Sequence, residues 1–208
     1  MAVVDRRGMT PLSEEVLYEW YRSTPELHPF VAEYHRLQLE HWIWRNRERL
    51  CGRVMDVGVQ NPRRWIGPGY FTLGYSADTQ SDKVGDVTDL PLEDGELDAI
   101  VCTEVLEHCA DPFYAVAEMH RVLKPGGLLL VTSPFLWPWH GTADYPDYWR
   151  FTDQGWRYLL RDFKSVDVQP CAWTTQGLQL IDAVRHMEGW GSPVDVHGHT
   201  AYLCEATR

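Results

Sequence analysis

Positive charge is scarce in this chain of 208 residues: 19 Lys and Arg stand against 30 Asp and Glu, a formal net charge of −11. Nucleic-acid backbones and anionic membranes both need a basic face, so neither is expected as the main partner. The only dense basic run is Arg45, Arg47, Arg49 and Arg53. Cysteine is sparse too. Cys51, Cys102, Cys109, Cys171 and Cys204 are odd in number and widely spaced, and no Cys-x-x-Cys pair occurs. A disulfide framework or a thiolate zinc knot is therefore not indicated, which fits reduced thiols in a cytoplasmic protein. No apolar run approaches membrane-spanning length, and the N-terminus lacks the apolar core of a signal peptide. Internal repeats, low-complexity segments and a domain linker are also missing, and the length suits one domain with a substantial core. Tryptophan, by contrast, is plentiful at ten residues.

The most informative stretch is Leu97 to Pro134. Leu97–Cys102 is a short, mostly apolar run without polar alternation, as suits a parallel strand buried on both faces. Asp111-Pro112 reads as a helix start, with Asp111 as N-cap and Pro112 at the first helical position. The helix is expected to turn Phe113, Val116, Ala117 and Met119 to a core and to end near Leu123. Lys124-Pro125-Gly126-Gly127 forces a turn before a second apolar strand, Leu128–Thr132. A strand, crossover helix and strand in this order demand a parallel sheet, and ligands of such sheets sit beyond the carboxyl ends of the strands. There the first strand runs into Thr103-Glu104-Val105-Leu106-Glu107-His108, where polar groups gather.

Further strands are expected at Arg53–Gly58, Tyr70–Gly74, Val84–Val87, Val166–Val168 and Ala201–Cys204. Helices are expected at Ser13–Ser23, Pro29–Arg49 and Gln176–Met187, and another is started by Thr152. The whole reads as α/β, a Rossmann-like doubly wound sheet of about seven strands over residues 51–208. Residues 1–50 form a helical N-terminal extension whose aromatic stripe (Phe30, Tyr34, Trp42, Trp44) is core or a lid over the ligand site. Such a lid covers its own site or that of a second copy, which leaves a homodimer open.

Four stretches together carry a family resemblance: Val54–Gly58 (VMDVG), Gly85–His108, Arg121–Pro134 (RVLKPGGLLLVTSP) and His140–Thr152 (HGTADYPDYWRFT). They resemble the class I methyltransferases that use S-adenosylmethionine, of the type found in bacterial secondary-metabolite and glycan pathways. A glycine at a strand-to-helix turn lets backbone approach such a ligand closely. The resemblance implies that Asp56, Gly58 and Val59 meet the methionine end of the cofactor, and that Asp86 and Val87 meet the adenine. Thr103 and Glu104 would line the methionine portion. The family turn normally carries several glycines, whereas Gly58 is followed by Val59-Gln60-Asn61-Pro62. The acidic residue that would hold the ribose aligns with Ser76, and Asp78 lies just beyond.

Glu104, Glu107 and His108 have spacings that place them on one helical face, and His140 follows the next strand to the same edge. Two carboxylates and two imidazoles suit a divalent ion such as magnesium or manganese, and they look like the metal set of certain methyltransferases acting on quinone precursors and RNA ends. A structural alternative pairs Glu107 with Arg121 or Lys124, makes His108 a satisfied helix residue and leaves His140 for proton removal; His108 is otherwise the second catalytic candidate. The expected function is methyl transfer to an oxygen, or less readily a nitrogen, of a small sugar-like or natural-product acceptor. An aromatic and acidic pocket for it is expected from Asp144, Tyr145, Asp147, Tyr148, Trp149 and Arg150. Two other readings stay open. The glycine-poor turn fits a methyltransferase-fold partner subunit or sensor with weak cofactor binding, and the Glu-Glu-His-His set fits metal-assisted methylation of an RNA end.

Overall fold

The computed structural model describes residues 34–58, 66–137, 139–173 and 199–208. The helices expected at Ser13–Ser23 and Gln176–Met187, and Val59, lie outside them. Seven strands are present: β1 (Val54–Val57), β2 (Tyr70–Gly74), β3 (Lys83–Val84), β4 (Leu97–Thr103), β5 (Leu123–Pro134), β6 (Ser165–Trp173) and β7 (His199–Thr207). They form one sheet in the order β3-β2-β1-β4-β5-β7-β6. The pairs among β1 to β5 are parallel, and β7 runs antiparallel between β5 and β6. The strand order reverses direction between β1 and β4. At such a switch point the flanking connections leave to opposite sides and open a crevice beyond the strand ends.

The apolar runs explain the central strands. Every residue of β1 is buried, as are five successive residues of β4, Ala99 to Thr103. Helix α2 (Pro112–Val122) crosses from β4 to β5. Asp111 accepts from the Phe113 and Tyr114 amides at 3.1 and 3.2 Å, and Pro112 sits where a missing N–H costs nothing. Its buried face is Ala115, Val116, Met119 and Val122. Phe113 and Ala117 are exposed, contrary to expectation, because the stripe that meets the sheet is offset from them by a third of a turn. On the surface Phe113 instead meets the ring of Tyr158 at 6.0 Å. Helix α3 (Asp153–Leu159) is capped by the Thr152 hydroxyl, which accepts from the Gly155 amide at 3.0 Å, and its Trp156 is fully buried.

Helix α1 (Tyr34–Arg45) lies on the other face of the sheet. Leu39, Trp42 and Ile43 are buried there against Val54, Ala99, Val101, Leu128 and Leu130. Of the aromatic N-terminal stripe, Trp42 is part of this core and Trp44 is half-buried, with the Arg47 guanidinium 3.9 Å over its ring. No helix among the described residues is long and apolar enough to cross a membrane.

Candidate functional site at the strand tips

Two left-handed residues mark the crevice. At the end of β1, Gly58 has φ of +79°, and a Cβ there would lie 2.2 Å from Val105 Cγ2 and 3.0 Å from the Thr103 carbonyl oxygen. Only glycine lets the two strand tips close so tightly. Just past β4, Glu104 has φ of +57°, a conformation that costs a side-chain-bearing residue about 1–2 kcal/mol. Strain of this kind gathers at functional sites. The Glu104 amide is held by the Thr132 carbonyl at 3.2 Å, so the β5 tip pins the turn.

Glu104, Glu107 and His108 do not share a helical face. The left-handed turn at Glu104 breaks any helix, and only one 3-10 turn follows, Leu106–His108. That short turn still delivers Glu107 inward and fully buried, with His108 beside it. Long-range folding then brings His140 to both. A ring nitrogen of each imidazole and an oxygen of Glu107 all lie within 4.8 Å of one another. Glu104 is not part of this cluster. Arg121 and Lys124, the alternative partners for Glu107, are engaged elsewhere: Arg121 binds Glu118, Asp94 and the carbonyls of Leu90 and Leu92, and Lys124 binds Asp98 at 2.7 Å.

Among the described residues no donor reaches either Glu107 oxygen at hydrogen-bond geometry, and His108 Nε2 is 3.7 Å from Oε1. Burial, reinforced by the Glu104 carboxylate, pushes the Glu107 carboxyl up to about 8; the nearby Ser133 hydroxyl and Arg150 offset only part of this. Burial thus favours the protonated, neutral form of Glu107. His108 Nδ1 is 2.5 Å from the Pro146 carbonyl. A carbonyl can only accept, so the proton is assigned to Nδ1, and the Nε2 lone pair is the one turned to Glu107. Burial holds the His108 pKa below its ordinary value, which favours this neutral form. Tyr145 lies over the ring with centroids 3.9 Å apart, and the His140 ring meets its edge at 4.9 Å.

His140 is partly exposed, and its Nδ1 is 3.1 Å from Asp147 Oδ2. Arg150 grips both Asp147 oxygens, at 2.5 and 2.7 Å, and holds that carboxyl well below the usual range. The loop from His140 to Arg150 was read from its composition as an acceptor pocket. It also positions the two imidazoles, a role missed because contacts between residues 7 and 38 apart in sequence have no periodic signature. Tyr145, Tyr148 and Trp149 are exposed; Asp147 is not, its side chain being covered by Arg150 and His140.

On the β1–β3 side, Asp56 is fully buried in β1 and accepts from the Tyr70 hydroxyl at 2.7 Å. Ser76 is half-buried and begins the 3-10 turn Ala77–Thr79, which places the backbone of Asp78 beyond β2. Asp86 is exposed past β3 and accepts from the Thr88 amide and hydroxyl at 2.8 and 2.7 Å, while Val87 is buried beside it. Thr103 is buried at the β4 tip. Gly58, Ser76, Asp86 and Thr103 thus stand at the carboxyl ends of four neighbouring strands, in sheet order β3-β2-β1-β4. The closely apposed glycine turn leaves backbone, not side chain, facing the crevice, as an extended charged cofactor requires.

Known proteins agree with this construction. The family described as "Methyltransferase domain" matches residues 74–131. The S-adenosylmethionine-dependent methyltransferase structure from Archaeoglobus fulgidus superposes with a TM-score of 0.58 at 12% identity, over 91% of this chain and 99% of that one. Residues 74–131 thus match a methyltransferase domain, and the chain has the fold of S-adenosylmethionine-dependent methyltransferases. Among curated relatives, this chain is 44% identical over 50 residues to a probable S-adenosylmethionine-dependent methyltransferase of Mycolicibacterium smegmatis, which is 24% of this chain and 20% of that one. It is 30% identical over 154 residues to the ubiquinone biosynthesis O-methyltransferase of Thiobacillus denitrificans, 64% of this chain and 65% of that one. The chain spans less than two thirds of the length of these curated relatives.

Proposed function

We propose that this methyltransferase moves the methyl group of S-adenosylmethionine to an oxygen, or less readily a nitrogen, of a small natural-product or sugar-like acceptor in the cytoplasm. The observation that carries this reading is the convergence of Glu107, His108 and His140 at the β4 and β5 tips, the first two on the segment whose Thr103 and Val105 pack against Gly58. On this reading Gly58, Ser76, Asp86, Val87 and Thr103 hold the cofactor, with Asp56 fixing the floor through Tyr70. The acceptor lies over the exposed rings of Tyr145 and Tyr148, and its hydroxyl meets His140. The methyl carbon passes in line from sulfonium to oxygen as the carbon–sulfur bond breaks. Most of the acceleration then comes from holding the two reactants in contact. His140 takes the hydroxyl proton, its Nδ1–H being held by Asp147. A relative named for ubiquinone-biosynthesis O-methyl transfer supports a small-molecule acceptor.

One oxygen and two nitrogen donors also match a magnesium- or manganese-class ion, for which Glu107, His108 and His140 would be the ligands. Bound there, such an ion lowers the pKa of an acceptor hydroxyl. Glu107 must then give up its proton, so loading is favoured as pH rises.

The test is transfer of labelled methyl from S-adenosylmethionine to 3,4-dihydroxybenzoate, methyl glucoside and a small primary amine, with and without magnesium, and with a short RNA as competitor. Label is expected in a hydroxylated probe and undiminished by RNA. Label appearing in the RNA instead would replace this reading with RNA-end methylation.

A further inference from the structure

The segment Pro146 to Arg150 contacts His108, Glu107 and His140. The Pro146 carbonyl takes His108 Nδ1–H at 2.5 Å, and Asp147 Oδ2 meets His140 twice, at the backbone amide (3.0 Å) and at Nδ1 (3.1 Å). The segment is itself clamped. The Tyr148 and Trp149 amides donate to the Glu107 carbonyl at 2.7 and 3.2 Å, and the Trp149 indole donates to the Cys109 carbonyl at 2.8 Å. Arg150 reaches the Trp137 carbonyl at 3.3 Å while holding both oxygens of Asp147. Two loops, the one after β4 and the one that joins β5 to α3, are thereby tied at one point.

We infer that Asp147 is a positioning residue that fixes His140 as the Nδ1–H tautomer, leaving Nε2 as the nitrogen that meets the acceptor. The proposal rests on the reading that His140 works at the acceptor. Asp147 supplies two things in one oxygen. Its hydrogen bond to the His140 amide sets where the residue sits, and its place 3.1 Å from Nδ1 sets which way the ring faces and which nitrogen carries the proton. Arg150 keeps the carboxylate ionised and aligned, so the acceptor oxygen cannot swing away. The Pro146 carbonyl does the same for His108. Both imidazoles thus receive their tautomer from adjacent residues of one strap. Outer partners of this kind commonly change the function of the group they orient by about 10–100-fold.

The experiment is long-range proton–nitrogen NMR of the imidazole rings in the full chain, with metal removed, for the wild type, D147A and D147N. His140 is assigned through its own H140Q variant. In the wild type, His140 is expected as Nδ1–H. D147A removes the acceptor and should lose that tautomer. In D147N the carboxamide oxygen still faces the two His140 donors, because its nitrogen there would oppose an N–H, so the Nδ1–H form should persist. S-adenosylhomocysteine affinity should stay within about twofold in all three. A wild-type ring protonated on Nε2, or D147A keeping Nδ1–H, overturns the proposal, and so does D147N behaving like D147A. If the wild type binds no S-adenosylhomocysteine, the methyltransferase reading falls while the ring spectrum still decides this one.

Discussion

On the β1–β2–β3 side of the strand tips, the residues proposed for the cofactor are individually placed: Gly58 and Asp86 are exposed, Ser76 is half-buried, and Asp56 and Val87 are buried beneath them. On the β4–β5 side, Glu107 is sealed, His108 is sandwiched by Tyr145, and His140 is held by a carboxylate that an arginine covers. The first side shapes a crevice with backbone; the second builds a preorganised group of acids and bases. A cofactor shared by many enzymes needs only a constant backbone outline. An acceptor that differs from enzyme to enzyme has its chemistry set by side chains, and these must be oriented by their own neighbours.

The sharpest division between the two sides is expected from His140→Ala. It should lower the methyl-transfer rate by about 10²–10³-fold, the usual weight of one acid–base group, and leave S-adenosylhomocysteine affinity almost unchanged. Equal losses in rate and cofactor affinity would mean that the two sides are not separate.

Glu107 tests the sealed side through pH. Its folded-state carboxyl is raised from 4.5 to about 8. A raised pKa stabilises the fold fully below the unfolded value and loses that contribution as pH climbs through the folded one. Unfolding free energy of the metal-free wild type, measured against Glu107→Gln by denaturant titration, should therefore fall between about pH 4.5 and pH 8, by a few kcal/mol. A difference independent of pH would show that the carboxyl is not sealed.

The backbone side breaks at Gly58. Alanine there combines a positive φ with a Cβ 2.2 Å from Val105 Cγ2, so a loss of about 1–3 kcal/mol in stability is expected, together with weaker cofactor binding. Stability equal to the wild type would mean that the β1 and β4 tips do not need this close approach.

The legibility of these features follows the range of the interactions that make them. Asp111-Pro112, Thr152 and the apolar runs of β1 and β4 act within a few residues, and each was visible as a cap or a buried strand. The seven-stranded sheet followed from their order. Phe113 and Ala117 were misplaced because the buried stripe of α2 depends on how the helix rolls onto the sheet. At the site, Glu107, His108 and His140 were visible as candidates. Their arrangement was not, since the left-handed turn at Glu104 breaks the helix that spacing suggested. Nor was the Pro146–Arg150 strap, whose bonds to His108, His140 and Glu107 exist only once the loops after β4 and β5 have met.

The most direct measurement is calorimetric binding of S-adenosylhomocysteine to metal-stripped protein, repeated after magnesium or manganese is restored. A crevice built from backbone and four strand tips predicts micromolar binding without metal, about −8 kcal/mol, with little change when the ion returns. No binding under either condition would contradict the account and leave a methyltransferase fold serving as a partner subunit or sensor.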